Sequence, residues 1–132
     1  MKITADSNVL VRAVMGDDAR QSKVAQAALA KAELVALALP ALCEFVWVLK
    51  QGYRIRSSEI AEAIRRLMNG TTVVVNRPAA EAGLAMLEAG GDFADGVIAF
   101  EGRWLGADAF VSFDKEAVRL MEVQGGSARV LS

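Results

Sequence analysis

Asp6, Glu44, Asp95 and Asp114 stand apart from the other acidic side chains of this 132-residue sequence. Most of its sixteen acids have ordinary explanations. Glu62 has Arg65 and Arg66 three and four residues on, a solvated helix face, and Asp17 and Asp18 precede a helix as loop and N-cap residues. The four exceptions have no such partner. Asp6 follows "KITA" at the end of the first strand and Asp114 ends the strand "AFVSF"; in open parallel sheets ligands bind beyond the carboxyl ends of strands. Glu44 lies in "PALCEFVWVL" with apolar neighbours and no basic residue one turn away. Its reading is a buried carboxylate, which needs a partner, a proton or a metal ion.

Asp95 shares a helix face with Asp92, Ala99, Gly102 and Gly106. The small residues let that face lie close to a neighbouring backbone, and Phe93, Val97, Ile98 and Leu105 beside it form the expected packing stripe. Each acid also has a plainer reading: Asp6 as a turn residue, Asp114 and Asp92 as helix caps, Glu44 as the partner of a distant arginine. The chain contains no histidine and one cysteine, Cys43, which reads as a buried structural thiol. Histidine-based acid–base catalysis, Ser-His-Asp or Cys-His nucleophiles and the usual zinc sets are therefore excluded. Carboxylates gathered at one edge raise each other's pKa unless a cation neutralises them. Oxygen-only ligands suit Mg²⁺ or Mn²⁺, and the chemistry they imply is metal-assisted phosphodiester hydrolysis.

The elements that must position these acids alternate between strand and helix. Strands are expected at Lys2–Ala5, Leu34–Leu39, Thr72–Asn76, Ala109–Phe113 and Arg129–Leu131, and helices around Ala19–Lys31, Pro40–Gln51, Ser58–Asn69, Pro78–Ala89, Asp92–Leu105 and Lys115–Val123. This is the rhythm of an α/β fold, a central parallel β-sheet flanked by helices. With no linker or repeat, a single domain over residues 1–132 is expected. The apolar share of 54% exceeds the usual soluble average of about 45–50% and suggests self-association. No stretch reaches the roughly twenty apolar residues of a membrane span, and no signal peptide is evident, so a cytoplasmic protein without membrane contact is expected. A net charge of −1 gives no global attraction to nucleic acid, so any such contact must be local.

"ITADSNVLV", "LCEFVWVL", "DFADGVIAF" and "FVSFDKEAV" resemble, in order and spacing, the four acidic motifs of PIN-domain ribonucleases, in particular small single-domain toxins of the VapC and FitB type. The resemblance spans almost the whole chain. It implies that Asp6, Glu44, Asp95 and Asp114 are the metal-binding catalytic acids, that Asn8 supports Asp6, and that Mg²⁺ or Mn²⁺ is the cofactor. It further implies an RNA substrate, a homodimer and a cognate antitoxin. Ser7 stands where threonine is commoner in the family and keeps the hydroxyl.

Asp92 is an additional acid, read as a helix cap, an outer-shell group or both. Ser112 could bond a carboxylate, a substrate phosphate or its own backbone. Arg12, Lys50, Arg54 and Arg56 are candidate phosphate contacts, because an acidic pocket repels RNA on its own, with a solvated surface as the plainer reading. Trp47 and Trp104 invite a base-stacking reading, but their apolar surroundings favour core or dimer packing. An aspartyl-phosphate enzyme is disfavoured, since Asn8 stands where a phosphatase wants its second acid. The competing function is a catalytically silent PIN-like binding module that holds an antitoxin or a structural cation.

Overall fold

A computed structural model describes all residues, Met1–Ser132, and divides them into two compact units, Met1–Asn76 and Arg77–Ser132. The first unit runs β1 (Lys2–Thr4), α1 (Ser7–Val14), α2 (Ala19–Lys31), β2 (Leu34–Leu37), α3 (Leu39–Trp47), a π-helical segment (Val48–Gly52), α4 (Ser57–Met68) and β3 (Val73–Val75). Its strands form a parallel sheet in the order β1-β2-β3, with Ile3 opposite Val35 and Val35 opposite Val73. Parallel strands need covered crossovers, and the helices supply them. Leu10, Val35, Leu42, Phe45, Leu49, Ile60 and Ile64 are almost fully buried.

Helix α1 is absent from the elements that periodicity predicts. Its eight residues include three valines, a composition that favours strand. Two local facts override the propensity: Asp6 N-caps the helix in an extended conformation, and Leu10 and Val11 bury one face. The helix expected over Pro40–Gln51 ends its regular turns at Trp47 and continues as the π segment, where Tyr53 N–H bonds to the Val48 carbonyl at 3.3 Å.

The second unit runs α5 (Arg77–Glu88), α6 (Phe93–Trp104), β4 (Phe110–Ser112), α7 (Lys115–Val123) and β5 (Ala128–Val130). Strands β4 and β5 pair in parallel across the α7 crossover, with Val111 opposite Arg129. Helices α5 and α6 form a hairpin whose turn is written in "AGGD". Gly90, at φ 98°, takes the left-handed position that ends α5; its N–H bonds to the Leu87 carbonyl at 3.1 Å and that of Gly91 to Met86 at 2.9 Å. Asp92 then caps α6, its carboxylate accepting from Ala94 N–H at 3.1 Å.

The packing face of α6 differs from the expected stripe. Phe93, Gly96 and Val97 are buried, whereas Ile98 and Leu105 are exposed. The reason is Gly96. A Cβ there would lie 2.3 Å from the Ala82 carbonyl oxygen and 2.9 Å from Gly83 Cα, so the two helices meet backbone to backbone at that point. Gly83 reciprocates, since its own Cβ would fall 2.7 Å from the Phe93 ring. This contact turns α6 so that Ile98 faces out. No helix is long and apolar enough to cross a membrane.

Candidate active site

In the first unit the acids sit at strand and helix junctions. Asp6 follows β1 by two residues and caps α1, accepting from Ser7 N–H at 2.7 Å. Ser7 is buried, and its hydroxyl donates to Glu44 Oε2 at 3.3 Å. One serine thus touches both acids, through its amide and through its hydroxyl. The sequence motif highlighted Asn8, but the connection runs through Ser7; Asn8 is exposed and lines a surface cleft with Arg12, Asp18 and Gln21. Its side chain makes no hydrogen bond to either acid.

Glu44 is exposed, not buried as its apolar neighbours imply. Those neighbours, Leu42, Phe45 and Val46, turn inward around the other side of α3, and Glu44 takes the outward position between them. Its carboxylate is anchored by Ser7 rather than by an arginine, and neither it nor Asp6 forms an ion pair. Cys43, on the same helix, is half-buried.

In the second unit, Asp92, Asp95 and Asp114 share an electrostatic neighbourhood. Burial pushes the Asp95 carboxyl above the ordinary carboxylate range, and the charges of Asp92 and then Asp114 push it further. No lysine or arginine pairs with any of the three. Asp114 caps α7, accepting from Glu116 N–H at 3.0 Å and Ala117 N–H at 3.1 Å through one oxygen. Asp92 likewise spends one oxygen on its cap. Each cap leaves a second carboxylate oxygen without a backbone partner, so capping and ligation do not exclude each other. Ser112 Oγ accepts from Asp114 N–H at 3.0 Å, a backbone bond that fixes the approach to α7 rather than a contact to a carboxylate.

The basic candidates divide in two. Arg12 is tied inside the first unit: its Nη1 lies 3.3 Å from Asp17 Oδ1 and 3.5 Å from the Tyr53 hydroxyl, which itself donates to Asp17 at 2.8 Å. Arg56 pairs with Glu59 at 2.8 Å. Neither is a free phosphate contact. Lys50, in the π segment, and Arg54, held in the left-handed region at φ 56°, form no ion pair. Both tryptophans depart from core packing, with Trp47 66% and Trp104 82% exposed, so that of the two packing readings only a dimer contact is compatible with their place on the single chain.

The donor set is oxygen-only, and Asp95 holds a raised pKa among like charges with no cationic side chain to relieve it. That chemistry fits a hard divalent ion. Within either unit taken alone, no three such side chains are drawn together as a metal-holding group. Residues 3–122, a span running through both units, match the PIN domain family model. The chain therefore belongs to the PIN-domain family, a nuclease-type α/β fold whose members generally hydrolyse nucleic acids with divalent metal ions. No curated protein matches the sequence.

Proposed function

We propose that the two units together serve as one PIN domain and that the protein is a Mg²⁺- or Mn²⁺-dependent endoribonuclease, the toxin of a toxin–antitoxin pair. Asp6, Glu44, Asp95 and Asp114 are the residues that would hold the ion. When bound, the ion supplies an activated water and stabilises charge on the phosphate. The observation that carries the reading is Asp95, whose carboxyl is raised by burial and by Asp92 and Asp114 with no basic neighbour to offset them.

The chain's own groups have distinct duties. Ser7 orients Glu44 through its hydroxyl and Asp6 through its amide. The helix caps at Asp92 and Asp114 immobilise those side chains, so their remaining oxygens are held in place before any ligand arrives. Of the four basic candidates named from the sequence, Lys50 and Arg54 are the ones without an ion pair and would meet the RNA backbone. A cognate antitoxin and a homodimer complete the reading; the large exposed apolar side chains support a protein partner.

Calorimetric titration of Mn²⁺ into the chain freed of any partner, followed by an RNA degradation assay, tests the proposal. Binding together with cleavage supports it. Binding with no cleavage of any RNA supports the silent module instead. Growth arrest on induced expression, lost in Asp95→Asn, is the expected signature of the toxin role.

A further inference from the structure

The C-terminal turn of α6 carries a surface that the acidic site does not use. Phe100, Arg103 and Trp104 are spaced i, i+3 and i+4 and so share one face of the helix. These three side chains alone line an open cleft of about 260 Å³. Trp104 is 82% exposed, and Leu105 beside it is exposed too. Arg103 is exposed and forms no ion pair, and no acid lies one turn away from it on α6. An unpaired arginine and two aromatic side chains lining one cleft match the two parts of a nucleotide. The guanidinium takes a phosphate through paired N–H donors, and the rings take the face of a base.

We infer that Phe100, Arg103 and Trp104 form a nucleotide-binding subsite for single-stranded RNA, with Trp104 stacking on a base and Arg103 clamping an adjoining phosphate. This rests on the nucleic-acid substrate of the function proposed above and adds to it a place for the strand. Arg103 follows Asp95 by eight residues on the same helix, about 12 Å along the axis at about 1.5 Å per residue. The subsite therefore holds the strand beyond the scissile phosphate, not at it. Charge complementarity favours RNA over a second copy of the chain: Arg103 has no partner to lose, and a phosphodiester supplies what it lacks.

The test uses the full chain in EDTA, which withholds the ion that hydrolysis needs, and a single-stranded oligoribonucleotide of about ten nucleotides. Trp47→Phe leaves Trp104 as the sole tryptophan, and its fluorescence should be quenched on titration of the oligomer. By anisotropy, Trp104→Ala should weaken binding about 5- to 150-fold, the equivalent of one lost base stack, with Trp104→Phe restoring most of it. Arg103→Gln should lower the slope of log affinity against log salt by about one. Binding without quenching, an affinity unchanged by Trp104→Ala, or no binding at all would overturn the subsite. So would a Trp104→Ala variant that loses only self-association in size-exclusion chromatography. Because binding is read without the ion and cleavage with it, loss of catalysis and loss of the subsite register separately: a chain that binds with quenching in EDTA yet cleaves no RNA in Mn²⁺ keeps the subsite and removes the nuclease.

Discussion

Gly96 and Gly102 lie on one helix, and adding the same methyl group to each should change stability in opposite directions. At Gly96 the new Cβ falls 2.3 Å from the Ala82 carbonyl oxygen, 2.8 Å from the Ala82 carbonyl carbon and 2.9 Å from Gly83 Cα. An ordinary carbon–oxygen approach is about 3.3–3.6 Å, so α5 and α6 must separate by about 1 Å. The obstacle is backbone, which cannot rotate away. Overpacking typically costs about 1–3 kcal/mol, and a backbone clash places Gly96→Ala near the upper end. Alanine's helix propensity returns roughly 1 kcal/mol, leaving a net loss of about 2 kcal/mol. At Gly102 the nearest atom is the Ala107 Cβ at 3.9 Å, an ordinary contact. There only the propensity gain remains, so Gly102→Ala should stabilise by about 0.5–1 kcal/mol. For a chain of this size 1 kcal/mol is about 3–6 °C in Tm. Thermal unfolding followed by circular dichroism should show Gly96→Ala lowered by about 6–12 °C and Gly102→Ala raised by about 2–6 °C. Equal shifts of either sign would refute the claim that the hairpin is held by backbone contact at Gly96.

Three further expectations follow from the site. Ser7→Ala removes the hydroxyl that holds Glu44; it should cost about 1 kcal/mol in urea unfolding and reduce RNA cleavage, and Ser7→Thr should restore both. Asp95 has its folded-state pKa raised, so its ionised form opposes folding: the penalty is absent below the ordinary carboxyl pKa, develops as pH rises through the raised value and is complete at neutral pH. Asp95→Asn should therefore be more stable than wild type at pH 7 and indistinguishable near pH 3, and should lose the Mn²⁺-induced rise in Tm that wild type shows. The Tyr53 hydroxyl, with Arg12 adding a smaller effect, lowers the Asp17 pKa. That stabilisation is present above the ordinary carboxyl pKa and lost as pH falls through the lowered one, so Tyr53→Phe should move the Asp17 titration, followed by NMR, upward.

The parallel strands and six of the seven helices were legible because each carried its own period and its own turn residues. The "AGGD" turn could be read because left-handed glycine and aspartate capping are local chemistry. Helix α1 was hidden because its valines favour strand, and only Asp6 as a cap and the burial of Leu10 and Val11 outweigh them. The errors around α3 and α6 have one cause. Composition shows that Glu44, Ile98, Trp47 and Trp104 have apolar neighbours along the chain, but which side of the helix faces the core is decided by tertiary contacts such as Gly96 against Ala82. Ser7 was legible as a hydroxyl beside Asp6, whereas its bond to Glu44 joins residues 37 positions apart and no spacing rule reveals it.

In the proposed nuclease, Asp6 and Asp95 serve one divalent ion. The decisive experiment is cleavage of labelled single-stranded RNA by the purified chain in Mn²⁺, in EDTA, and in Mn²⁺ with Asp6→Asn or Asp95→Asn. Cleavage is expected from wild type in Mn²⁺ alone, abolished by EDTA and by either substitution while circular dichroism shows both variants folded. Cleavage that survives EDTA, or that persists unchanged in both variants, would contradict it.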